Sequence, residues 1–134
     1  LLQWAHDPVS VLKNWRNALE LKGRVLVCLY IEGSLEEFVK ERPDFSALQW
    51  RSELEWLGFF REAGFDVSRS ESRDDVISYA SSREALRAIH DLGAIEERRM
   101  SPGELKRFLN DCDRRFENRF GLSWKTLKIE CVNR

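Results

Sequence analysis

The chain has 134 residues, enough for one domain with a sizeable core. Apolar residues make up 43% of it and charged residues 34%, with a formal net charge of −1, which excludes a disordered chain and a strongly polyanionic or polycationic one. No run approaches the ~20 apolar residues of a membrane helix, and the opening LLQWAHDPVS has no signal-peptide pattern. No membrane contact is expected, and the three cysteines, read as core thiols in a reducing compartment, make the cytoplasm the expected location.

The helix punctuation is legible from the start. Asp7-Pro8 places an N-cap before a proline at the first helical position. Val11, Leu12, Trp15, Ala18 and Leu19 then form one stripe, closed by Gly23. Arg24 to Ile31 is apolar on both faces and predicts a central strand covered on both sides. Ser34 to Glu37 has the pattern of a capping box, opening a short helix that must stop before Pro43.

A longer helix is expected from Ser46 to Ala63, with Ser46-Ala47-Leu48-Gln49 as its box and Gly64 as its stop. At about 100° per residue, Trp50, Leu54 and Leu57 share one face, while Leu48, Trp56 and Phe59 form a second. Docking on one core needs only one such stripe. The first set makes the more continuous stripe and is expected inward.

Phe65 to Ser70 and Asp75 to Ala80 read as two short strands joined by a polar hairpin loop. Ser81 to Glu84 is a further capping box, with Leu86, Ile89 and Leu92 on one side and Gly93 as stop. Ser101-Pro102-Gly103-Glu104 is the clearest box. Leu105, Phe108, Leu109, Cys112, Phe116 and Phe120 then recur at helical spacing up to Gly121. Trp124 to Val132 alternates, with Leu127, Ile129 and Cys131 on one side, and suits an exposed or edge strand.

The expected fold is α/β (α+β): a single twisted sheet of about four strands backed by helices. Setting aside the first helix leaves the order of a split βαβ (ferredoxin-like) sandwich. Residues 1–134 are expected to form a single domain.

No motif names a reaction. Cys28, Cys112 and Cys131 are unpaired by spacing and sit in apolar patterns, as core thiols do. His6 and His90 stand apart, and no ligand spacing for a metal occurs. Most glycines are accounted for as helix stops, leaving no phosphate-cradling loop. Neither a cofactor nor catalytic residues are expected.

Two binding readings remain. Trp and Arg are enriched at interface hot spots, so the second face of the Ser46–Ala63 helix, with Leu48, Trp56 and Phe59 rimmed by Glu55 and Glu62, predicts a partner-binding surface. The corresponding function is a non-enzymatic protein-binding module, by analogy of size an immunity-type inhibitor that neutralises a toxin or enzyme. The alternative is a nucleic-acid-binding accessory domain. Residues 98–134 carry 10 Lys and Arg against 5 acids, and Arg107, Arg114 and Arg115 would track phosphates with Trp124 as a stacking surface.

Overall fold

The computed structural model describes residues 2–45, 49–92 and 100–134. It has a mixed helix-and-strand α/β architecture with one three-stranded antiparallel sheet. After a short 3-10 turn at Leu2–Trp4, the elements are α1 (Pro8–Ala18), β1 (Arg24–Tyr30), α2 (Glu36–Glu41), α3 (Glu53–Glu62), β2 (Phe65–Tyr79), α4 (Ser82–Asp91), α5 (Pro102–Asp113) and β3 (Phe120–Asn133). No described helix is long and apolar enough to cross a membrane.

The sheet order is β1-β3-β2. β1 pairs antiparallel with β3, setting Arg24 opposite Val132 and Tyr30 opposite Thr126. The β2 register is pinned by Ser68 Oγ donating to the Glu130 carbonyl at 3.0 Å and by Arg119 Nε donating to Ser78 Oγ at 2.7 Å. The four-stranded, split-βαβ expectation is thus corrected to three strands among the described residues. Phe65–Ser70 and Asp75–Ala80 are not a hairpin. The polar run between them continues the strand, because the ladder with β3 satisfies its backbone although its side chains face water.

Strand roles are also exchanged. The last strand, expected at an edge, lies between the other two, and β1, expected at the centre, lies at an edge.

The chain divides into two compact units. The first comprises 1–34, 49–74 and 125–134. Its core joins Leu12 of α1 and Trp56, Leu57 and Phe60 of α3 to Leu29, Leu127 and Ile129 of the sheet. α1 begins as expected, with the Asp7 carboxylate accepting the Ser10 N–H at 3.1 Å. α3 begins later than expected. Ser52 and Glu55 form a reciprocal capping box, and just before it the Arg51 carbonyl accepts the Glu32 N–H at 3.0 Å. Gln49 and Trp50 therefore precede the helix, and Ser46 to Leu48 lie outside the described residues. α3 ends at Gly64 with φ +91, a conformation that favours glycine.

The second unit comprises 35–48 and 75–124. Phe38 stacks on Phe45 at 4.9 Å and Phe120 at 5.1 Å, while Phe108 closes the cluster 5.6 Å from Phe38. Such offset and tilted arrangements are the favourable ones for aromatic rings. Ser81 and Ser101 cap α4 and α5 as expected. The supposed box at Ser34 is absent. Leu35, in the left-handed region, stands at the start of α2 without a side-chain cap. Ser34 Oγ instead bonds the Lys125 N–H and carbonyl in the first unit. The Glu37 carboxylate accepts both the N–H and hydroxyl of Ser123. α5 stops at Asp113, so Phe116 and Phe120 do not prolong its stripe. Phe120 opens β3, and Phe116 packs edge-on against it at 5.0 Å.

Candidate functional site: the outer edge of the first strand

Neither expected binding surface forms. Trp56, the intended centre of the partner face, is 1% exposed within the core of the first unit. Phe59 is half-buried, edge-on to Trp56 at 5.7 Å and 5.0 Å beneath the Arg51 guanidinium. The faces divide differently from expectation: Leu54, expected inward, is 79% exposed, while Leu57, also expected inward, is buried in the core beside Trp56. Glu55 and Glu62 are exposed, but Glu55 serves the helix start, where the Ser52 N–H holds its carboxyl below the usual value. Leu48 lies outside the described residues. These positions therefore do not make an apolar patch with a polar rim.

The basic surface fares no better. Trp124 is only 6% exposed and cannot offer a ring face to a base. Arg115 is ion-paired with Glu41, and Arg114 with Asp111 at 3.4 Å. Arg107 is exposed on α5, but the stacking platform that was to join it is missing.

The thiols also fall into place. Burial pushes the Cys112 thiol up to about 12, with the Glu41 carboxylate adding to the effect, and burial alone pushes Cys131 up to about 11. Both are held as thiols, the opposite of what a nucleophile requires. Cys28 is exposed on β1.

The feature that stands out is β1 itself. In an antiparallel pair, residues that exchange backbone bonds with the partner alternate with residues whose polar groups point away. The Ile31 N–H donates to the Lys125 carbonyl and the Asn133 N–H to the Gly23 carbonyl, which fixes odd-numbered residues as those facing β3. The backbone groups of Arg24, Leu26, Cys28 and Tyr30 therefore point to the outer edge. There the Tyr30 N–H donates to Gln3 Oε1 at 3.2 Å. A groove of about 480 Å³ runs along this edge, walled by Leu2, Gln3 and Trp15.

The side chains follow the same alternation. Val25, Val27 and Leu29 turn inward, while Leu26 is 57% and Tyr30 37% exposed, with Cys28 exposed between them. Sequence reasoning missed Gln3, Leu26, Cys28 and Tyr30 as a group. The available signal was a strand apolar on both faces, which needs a cover on both.

No protein-family model matches the sequence, and no curated protein matches it. Among solved structures, the fold is similar to that of a proposed methyltransferase from Bacillus halodurans C-125, with a TM-score of 0.61 at 10% identity. The likeness covers 98% of this chain, and this chain spans 60% of that one. At that identity the likeness concerns the fold. It overturns the reading as a free-standing binding module or immunity-type inhibitor, whose exposed face is already lost with Trp56. The nucleic-acid alternative is set aside with it.

Proposed function

We propose that this chain is a portion of a methyltransferase-type domain and works as part of that domain, not as a separate binding module. The observation that carries the reading is the likeness of nearly the whole chain, 98% of it, to 60% of the Bacillus halodurans protein. The apolar outer edge of β1 supports it, because such an edge suits the interior of a larger sheet.

Methyl transfer requires an electrophilic methyl donor, in most cells the sulfonium S-adenosylmethionine. A sulfonium cation and a ribose diol both favour a carboxylate among their contacts. The groove along β1 is lined by aliphatic and aromatic groups, an amide, two hydroxyls and a thiol, with no acid. These residues do not fit the donor, and no step of methyl transfer is assigned to them. The chain's part is to complete the fold that holds the reacting groups.

The test uses S-adenosylmethionine as the probe, titrated calorimetrically into residues 1–134 and into the polypeptide as its source cell makes it. The expected result is saturable binding by the cellular polypeptide and none by residues 1–134. If the cellular polypeptide neither binds the donor nor transfers a labelled methyl group to any component of the cell extract, the reading fails.

A further inference from the structure

Along β1 the chemistry changes abruptly at Arg24. Lys22, Arg24 and Arg134 line a groove of about 480 Å³ with Leu21 and Val132, and no acid lines it. Asp66 engages Arg134 at 2.6 Å, whereas Lys22 and Arg24, both exposed, have no ion-pair partner among the described residues. The backbone that carries them is fixed. The Lys22 N–H donates to the Asn133 carbonyl at 2.7 Å and the Asn133 N–H to the Gly23 carbonyl at 2.8 Å. The Asn133 side-chain amide donates to the carbonyls of Arg16, Leu19 and Glu20. Lys22 is held at φ +65, which disfavours a residue with a side chain. Like charges set close together are unfavourable as well. The turn therefore places two uncompensated cations side by side, against the preference of the fold, which is a mark of a binding site.

Two residues further along the same face the strand becomes apolar. Leu26, Cys28 and Tyr30 follow Arg24 by alternation. They line the second groove of about 480 Å³, walled by Leu2 and Trp15, again without an acid. The two grooves run in line, cationic at one end and apolar at the other. On β2, by contrast, Val76 and Ile77 are exposed, but the charged residues lining its groove, Arg69, Glu71, Lys128 and Glu130, balance one another.

We infer that these two grooves together bind an anionic amphiphile, a free medium-chain alkyl carboxylate. Its carboxylate sits between Lys22 and Arg24, and its chain lies along Leu26, Cys28 and Tyr30. The Arg24 guanidinium offers the planar fork that matches a carboxylate. From Leu26 to Tyr30 the strand runs ~13 Å, about the reach of an extended dodecanoate chain. Each groove falls within the ~300–1,000 Å³ of small-ligand sites. The same cations repel a positively charged ligand, in keeping with the misfit of the sulfonium donor. The inference is independent of the methyl-transfer reading, since it rests on the charge and shape of these grooves.

The experiment titrates dodecanoate, below its micelle concentration, into residues 1–134 and follows amide resonances and heat. Saturable shifts are expected at Lys22, Arg24, Leu26, Cys28 and Tyr30, and the bound chain should shield Cys28 from a maleimide. Dodecanol, which lacks the charge, and acetate, which lacks the chain, should each bind at least ~10-fold more weakly. Lys22→Gln combined with Arg24→Gln should weaken dodecanoate binding by ~10-fold without lowering the melting temperature. Leu26→Glu should weaken it as much, whereas Arg69→Gln on β2 should leave it unchanged. Absence of saturable shifts at these residues overturns the inference, as does dodecanol binding as tightly as dodecanoate. Vesicles of phosphatidylglycerol form the last arm. Cosedimentation with them, without binding of free dodecanoate, would assign the cations to a membrane surface and reject the inference.

Discussion

Gln3 Oε1 accepts the Tyr30 N–H at 3.2 Å, so a residue from the first turn of the chain occupies a backbone donor on the outer edge of β1. Leu2, next to it, is buried in the core of the first unit, which anchors that turn. The Tyr30 end of the edge is therefore held by the chain itself, while Leu26 and Cys28 lie along the groove. Replacing Gln3 with Ala should speed exchange of the Tyr30 amide and cost about 0.5–1.5 kcal/mol in a denaturant titration. Unchanged exchange would mean that the side chain does not hold that donor.

Trp56→Ala should destabilise the first unit by ~3–5 kcal/mol as a large-to-small change at a buried site. Leu54→Ala, on the exposed side of the same helix, should change stability by less than about 0.5 kcal/mol. Urea midpoints for the two variants decide the matter. Equal losses would mean that α3 is covered on both faces.

In the second unit, Phe38 touches three other rings of the aromatic cluster. Phe38→Ala should cost ~3–5 kcal/mol. Phe116 is half-buried in the turn before β3, and Phe116→Ala should cost less, on the order of 1–2 kcal/mol. If the order of the two losses were reversed, the cluster would be centred elsewhere.

The cap carboxylates make the helix starts sensitive to acid. Hydrogen bonds from Ser10 hold Asp7 below its ordinary value of 3.8, and those from Ser52 hold Glu55 below its ordinary 4.5. A carboxyl depressed in the folded state contributes stability that is present above its unfolded value and is lost as pH falls through the folded one. The Ser10 and Ser52 amide resonances should therefore stay constant at neutral pH and shift only as pH drops below the ordinary carboxylate range. Glu55→Gln should remove that shift at Ser52 and leave it at Ser10.

Thiol titration of residues 1–134 with a disulfide reagent at pH 8 should modify Cys28 quickly. Cys112 and Cys131, raised to about 12 and 11 by burial, should react only on unfolding. Rapid modification of Cys112 in the folded chain would show that the second unit opens readily.

The sequence by itself determined the helix starts at Asp7, Ser81 and Ser101 and the span of β1, because caps and alternation act between residues a few positions apart. Even there, Ser34 shows the limit: its hydroxyl bonds Lys125, 91 residues away, in place of the nearby helix start. The tertiary structure alone decided which strand is central, that Phe65–Tyr79 is one strand, and that Trp56 points inward while Leu54 does not. Each depends on pairing between distant segments. The polar run at 71–74 resembles a loop until β3 lies beside it, and the faces of α3 are interchangeable until its first turn is fixed at Ser52. The open edge of β1 required both sources. Its residues carry the mark of an interior strand, and only the fold shows on which side no strand pairs with it among the described residues.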